Sequence, residues 1–295
     1  NTNYNSSYSL YLDNDFILLL SLKSGFMELI LIVIVFSFLL ASIDSMSGMG
    51  FGTGLAPMLF LLGYNSMQVV PALLIAQTIT GLMSAYFDHV FENIDFSFAP
   101  PNDATKYAFS FALIGCVSII LSIFLAYYFI QVPEFVIEMY IAALVFSMGI
   151  IGILRLKFSD RINKVGDEKN KTHPKLLFVF SAIAGFNKGI TSGGYGPIIT
   201  LGQIFSGVYE KSARAIVAFS ESLVSILGTV SFLFIAFAGV EIDLILLPSI
   251  FTGGFFGSLI APYIVRVLPN KVWRIFIPLY ALFLAFLILL NFFLF

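Results

Sequence analysis

Two short stretches of this chain combine residue types that can bind an anion inside apolar surroundings. Ala184 to Pro197 reads AGFNKGITSGGYGP, and Ser45 to Pro57 reads SMSGMGFGTGLAP. In the earlier stretch Gly48, Gly50, Gly52 and Gly54 occupy every second position; in the later one Gly189, Gly193, Gly194 and Gly196 do similar work. A short helix that starts after such a break aims several free backbone N–H groups, and the positive end of its dipole, at one point. Pro57 and Pro197 fall near the start of the arms that follow, where proline is tolerated. The candidate anion ligands are therefore Gly52, Thr53 and Gly54 from the first break, and Asn187, Lys188, Ser192, Gly193, Gly194, Tyr195 and Gly196 from the second. Lys188 would supply charge, and Asn187, Ser192 and Tyr195 neutral donors. Glycines at helical spacing also let membrane helices pack closely. Their alternation followed by proline, in both stretches, favours binding over packing alone.

Glu221 lies ten residues into the helical stretch that follows, too deep for a surface residue. It is either a proton carrier or the counter-ion that keeps Lys188 charged, and the sequence leaves that choice open. Asp44 precedes the first glycine run as Lys188 precedes the second, and is a coupling candidate of the same kind. Gln77, Thr78 and Ser220 are polar positions on apolar helices that could line the site or simply bond helix to helix. An ionisable group within a membrane segment marks a functional site by default, although Lys188 could also extend its stem to the membrane surface.

Other chemistry is excluded by what surrounds these residues. His89 and His173 fall in loops, so no metal site and no nucleophile triad is expected, and no cofactor is implied. An intramembrane serine hydrolase would need a core histidine, so an enzyme is not expected. The lone Cys116 sits in an apolar run and supports neither a disulfide framework nor a thiolate metal site. The net charge of −2 speaks against nucleic acid as a partner.

The elements that position these residues are membrane helices. Hydrophobic residues make up 59% of the chain and charged ones 11%, with a mean hydropathy of +0.98, whereas soluble domains carry about 25% charged residues. Apolar runs predict helices at Phe26 to Met46, Leu55 to Leu62, Ser66 to Phe87, Ala104 to Val132 and Phe135 to Leu156. A second set runs Leu176 to Ile190, Pro197 to Ser206, Ser212 to Ala238, Asp243 to Leu268 and Val272 to Phe295. A shift of about 140 residues superposes the sets, the third member arriving some six residues late. The chain thus divides into an N-terminal tail (1–25), a first transmembrane repeat (26–156), a charged connector (157–175) and a second repeat (176–295).

Leu55 to Leu62 and Pro197 to Ser206 are too short to cross about 30 Å of hydrocarbon, so each forms one arm of a re-entrant hairpin. Lys and Arg collect in cytoplasmic loops, and Arg155, Lys157, Arg161, Lys164, Lys169, Lys171 and Lys175 mark the connector as cytoplasmic. Lys211 and Arg214 mark the next junction as cytoplasmic too. Tracing spans from there places the Gln131 to Glu134 turn outside, the acidic loop Asp88 to Asp103 inside and the two hairpins on opposite faces. The fold class is all-α, a polytopic transporter with two inverted repeats in a cell membrane. Its partners are the lipid bilayer and a small anion, and the sequence leaves room for a homodimer.

The motifs SGMGFGTGLAPML and PALLIAQTITG, with GFNKGITSGGYGPIITL and RAIVAFSES, resemble the sulfite exporter TauE/SafE family of organosulfur-compound permeases. The resemblance runs from about Ser37 to Phe295 and implies transport, often export, of sulfite, thiosulfate or organosulfonates, plausibly coupled to protons. The chain departs from the family pattern in carrying Met49, Phe51 and Thr53 between glycines, and Asn187 and Lys188 before the second run. The readings outside that class are a cation or metal-ion carrier using Asp44 and Glu221, and a non-transporting membrane sensor.

Overall fold

The computed structural model describes residues 21–24, 27–48, 50–133, 174–205 and 210–267, with scattered positions from 135 to 150 and from 279 to 286. Eight helices can be followed through these segments: α1 (Leu31–Ser47), α2 (Phe51–Leu61), α3 (Ser66–Val90), α4 (Asp103–Ile123), α5 (Pro174–Thr191), α6 (Tyr195–Phe205), α7 (Glu210–Phe237) and α8 (Leu247–Val267). A π-helical turn, Phe124–Phe129, continues α4. Among the described residues an antiparallel strand pair, β1 (Ser21–Ser24) and β2 (Met27–Ile30), precedes the helices. That pair corrects the expected start at Phe26, since α1 begins only at Leu31. Of the remaining expected helices, Phe135 to Leu156 is helical at its described positions, while most of Val272 to Phe295 and of the connector lies outside the described residues.

Local chemistry explains where the long helices start. Asn65 and Gln68 form a capping box, each side chain accepting the other's backbone N–H at 3.0 and 3.1 Å, which satisfies two of the N–H groups that a helix end leaves open. Asn102 Oδ1 accepts from Thr105 N at 3.0 Å and starts α4 in the same way. Along α4, Leu113, Val117 and Leu121 are exposed while Phe111, Gly115, Ile119 and Ile123 are buried. A four-residue period thus separates a lipid-facing stripe from a packed one. Among the described residues, four helical stretches are long and apolar enough to cross a membrane: Ser66–Val90, Asp103–Phe129, Ala213–Phe237 and Leu247–Ile264.

Each expected re-entrant arm is a short helix, and both begin earlier than expected. The helix α2 opens at Phe51 rather than Leu55, so Gly52 and Gly54 are helical, and the chain turns instead at Gly48 (φ 69°) and Gly50. Pro57 consequently lies in the second turn of α2, not the first, and removes the N–H that would reach the Thr53 carbonyl. Pro197 is the third residue of α6, where its missing N–H costs no helical bond. The second turn is at Ser192 (φ 59°) and Gly194 (φ 82°).

The same interval separates the starts of three helix pairs: Phe51 and Tyr195, Ser66 and Glu210, Asp103 and Leu247. The late third member expected from hydropathy therefore is not late, because polar residues at the head of α7 belong to the helix. Exchanging α1 with α5, α2 with α6, α3 with α7 and α4 with α8 leaves the packing pattern unchanged: α1 lies on α8 as α5 lies on α4, α3 lies on α7, and α4 meets α7 as α8 meets α3. Side-chain-free positions make these contacts tight. A Cβ on Gly185 would stand 2.5 Å from the Gly115 carbonyl oxygen, so α5 and α4 touch backbone to backbone. The order of contacts gives helix directions. Gly253 meets Ile34 and Gly257 meets Phe38, so α8 and α1 run the same way; Ser181 meets Phe111 and Gly185 meets Gly115, so α5 and α4 do also. Across the centre Gly81 meets Ser222 while Asp88 meets Arg214, so α3 and α7 run in opposite directions.

Candidate functional site

The two breaks meet at the centre of the bundle. Gly194 N donates to Thr53 Oγ1 at 3.0 Å, a Cβ on Gly193 would stand 2.9 Å from Thr53 Cα, and one on Gly52 would overlap the Ser192 carbonyl. Ser192 holds a left-handed conformation that a residue with a side chain adopts only at a cost of about 1 kcal/mol. It is fixed there by Gln77, whose Nε2 donates to Ser192 O while Ser192 Oγ donates to Gln77 Oε1, both at 3.2 Å.

Lys188, one turn before the second break, is fully buried. Its Nζ donates to Gln77 Oε1 at 2.6 Å and to Glu221 Oε1 at 2.7 Å, and stands 6.0 Å from the centre of the Tyr195 ring. The ammonium is thus held by α3, α6 and α7 together. Removing such a charge from water is costly unless it is paired and hydrogen-bonded, and here an amide, a carboxylate and an aromatic face share that task. Extension of the Lys188 stem to the surface, open from sequence, does not occur. The counter-ion reading of Glu221 is realised in this arrangement, and its other oxygen lies toward Gly196.

The interval that relates the helices also carries Asp44 onto Lys188 and Gln77 onto Glu221. One centre is therefore assembled from equivalent positions of the two halves, with opposite charges at the first pair. Asp44 receives the backbone N–H groups of Gly50 and Phe51, so the N-terminus of α2 is already capped by a carboxyl group of the protein itself. At the second break Gly193 N donates to Thr191 Oγ1 and Gly194 N to Thr53 Oγ1, each at 3.0 Å. The open N–H cradle expected from the glycines is, at these positions, filled from within, because hydrocarbon would leave such donors unpaired.

Several expected ligands face elsewhere. Asn187 is buried beside Lys188, but its Oδ1 accepts from the Tyr140 hydroxyl. Thr78 donates to Leu74 O of its own helix at 3.0 Å, and Ser220 to Val217 O of its own at 3.1 Å. Gly54 N continues the helical ladder to Gly50 O.

A cavity of about 20 Å³, counted as room for water centres, lies between α1, α3 and α7 and is lined by Asp44, Ser45, Gln77, Thr80, Ser84 and Glu221 among others. That is space for about one water molecule and not for a sulfur oxyanion. Next to the lining residue Ser45 a second buried pair appears, Arg214 Nη2 to Asp88 Oδ1 at 2.7 Å, with Arg214 Nη1 donating to the Ser45 carbonyl. The sequence places these two residues in a basic junction and an acidic loop. Both are instead inside the bundle, 4% and 0% exposed as side chains, so Arg214 is not among the surface cations that mark a cytoplasmic face. A visible signal existed: Gln77, Thr80, Ser84 and Asp88 share one face of α3, as Arg214, Val217 and Glu221 share one face of α7.

Helices of membrane length, breaks at matched positions and a buried charge centre where they meet define a multi-pass membrane protein built in the manner of transporters. The family model described as sulfite exporter TauE/SafE matches residues 33–291, and the chain belongs to that transporter family. Comparison with curated proteins and with solved structures returned no match.

Proposed function

We propose that this protein moves small sulfur oxyanions or organosulfonates, such as sulfite, thiosulfate or sulfoacetate, across a cell membrane by alternating access, in the export direction. The observation that carries this reading is the fully buried Lys188 ammonium, held among the described residues by two acceptor oxygens beside a pair of helix breaks. An oxyanion that displaces Glu221 from Lys188 would leave a buried carboxylate without its cation. A proton taken by Glu221, with Asp44 as its neighbour across the cavity, removes that cost and couples anion movement to protons. Ser192, Tyr195 and Gln77 would complete the anion shell.

Alternation needs two halves of opposite orientation. The opposed directions of α3 and α7, and the exchange of packing partners between the two sets of helices, support inverted repeats spanning 26–156 and 176–295 with the 157–175 connector in the cytoplasm. The Gln68 to Asp243 bond supports the same reading, joining the head of α3 to the segment before α8, two ends that alternate spans from a cytoplasmic connector put outside.

Flux of sulfite, thiosulfate and sulfoacetate into proteoliposomes tests the proposal. Wild type should carry at least one of them saturably, and Lys188→Met none; flux by the variant at the wild-type rate would remove Lys188 from the site. A cation carrier is the second reading, favoured by the fact that Asp44 and Glu221 line one cavity. Against it, no group of three or more His, Cys, Asp or Glu able to hold a metal occurs among the described residues. Cation-stimulated flux with no anion dependence would establish it.

A further inference from the structure

One turn of α3 past Ser84, which lines the cavity beside Gln77 and Glu221, lies a pair that the transport reading above does not use. Arg214 and Asp88 are buried, yet their contact is one bond short of the two-pronged fit that a guanidinium and a carboxylate can make. Nη2 reaches Asp88 Oδ1, while Arg214 Nε and Asp88 Oδ2 have no hydrogen-bond partner among the described residues. Ser84 Oγ, buried on the cavity wall one turn of α3 before Asp88, has none either. Buried polar groups almost always find partners, and three orphans around this pair describe a place that a polar ligand can complete.

The pair also belongs to one side of the molecule only. The interval that matches the two halves puts Val70 opposite Arg214 and Phe232 opposite Asp88, both apolar and buried. From Glu221 to Arg214 is seven residues of α7, roughly 10 Å of helix, and opposite them α3 supplies Gln77, Thr80 and Ser84 as the polar wall. The route from Lys188 toward the C-terminal end of α3 is therefore polar and ends in a cation, whereas the equivalent route in the other direction is sealed by hydrocarbon. An argument from folding alone does not require this: an apolar pair serves the same position in the other half.

We propose that Arg214 is a second anion-binding station, at which a small oxyanion replaces the Asp88 carboxylate on the guanidinium during passage between Lys188 and the membrane face at the C-terminal end of α3. The inference rests on the anion-transport reading. Arg214 offers Nε and Nη2 as a planar fork suited to two oxygens of a tetrahedral or pyramidal anion, and Ser84 Oγ offers a third donor. Asp88 competes with the anion for the guanidinium and holds the station shut when no anion is present.

The test is saturable uptake of radiolabelled sulfite, with thiosulfate and sulfoacetate as further probes, by Asp88→Asn, Arg214→Gln and the double variant, with melting temperature measured alongside. Asp88→Asn should lower KM by roughly tenfold, the scale of one charge-assisted contact no longer contested, and Arg214→Gln should raise it by at least as much. The double variant removes the unpaired charge, so its melting temperature should recover while its KM stays high. Recovery of both melting temperature and KM to wild-type values in the double variant would overturn the proposal and leave a purely structural pair. Unchanged KM in a folded Asp88→Asn would overturn it equally. These outcomes differ from failure of the underlying reading, which would appear as wild-type flux in Lys188→Met, or as no saturable uptake of any of the three anions by wild type; the latter would overturn both.

Discussion

Gln77 and Glu221 occupy equivalent positions in the two halves, and their side-chain oxygens converge on one ammonium, Lys188 Nζ, at 2.6 and 2.7 Å. The amide and the carboxylate are therefore unequal claims on the same cation. Gln77 is tied at both ends to Ser192, so the break and the charge move together.

Breaking this pair from one side should be worse than removing it. Lys188→Met leaves Glu221 without its cation and should destabilise by about 3–5 kcal/mol. Lys188→Met with Glu221→Gln should restore most of that loss without restoring flux. Melting in detergent, read beside proteoliposome uptake, checks both halves of the statement.

On the coupling proposed above, a proton on Glu221 releases Lys188 for an anion, and wild-type uptake should then rise as pH on the entry side falls. In Glu221→Gln the claim of the carboxylate is gone at every pH, and this dependence should be flat. Uptake against pH at fixed anion concentration decides it; a Gln variant that keeps the wild-type slope would place the coupling proton elsewhere, with Asp44 the next residue to change.

Adjacent residues on α3 should behave in opposite ways. Gln77→Leu takes one of two acceptors from Lys188 and frees Ser192, and flux should fall by about a hundredfold, the scale of one buried hydrogen bond to a charged group together with those to Ser192. Thr78→Val removes only a bond to Leu74 O of the same helix, and flux should stay within about twofold, because such back-bonding contributes little to a helix.

The contact between breaks leaves no room for a methyl group. Gly52→Ala drives a Cβ into the Ser192 carbonyl and Gln77 Nε2, and overpacking of this kind costs about 1–3 kcal/mol. Leu113→Ala, on the exposed stripe of α4, should leave both melting temperature and uptake close to wild type.

The charge map predicts sidedness. In a Cys116→Ala background, a cysteine at Asn163 of the connector should be shielded from a membrane-impermeant maleimide in intact cells, and one at Gly239 should be labelled. The reverse pattern would invert the orientation without disturbing the relation between the halves.

Hydropathy, glycine and proline act locally, and what depends on them could be read along the chain: the membrane helices, two short arms after two breaks, the duplication, and Lys188 and Glu221 as charges too deep to be incidental. The starts of α1 and α2 were less legible because β2 is as apolar as the helix it precedes, and because helical glycines look the same in sequence as glycines in a turn. Which groups meet was decided only in three dimensions. Asn187 is next to Lys188 in the chain and turns to Tyr140, while Gln77 reaches Lys188 from another helix. Arg214 and Asp88 resemble loop charges until α3 and α7 run against each other and bury both. The physical reason is that local pattern sets which face of a helix is polar, whereas the rotation and register of one helix against another, settled by packing across the whole bundle, determine which polar group that face finds.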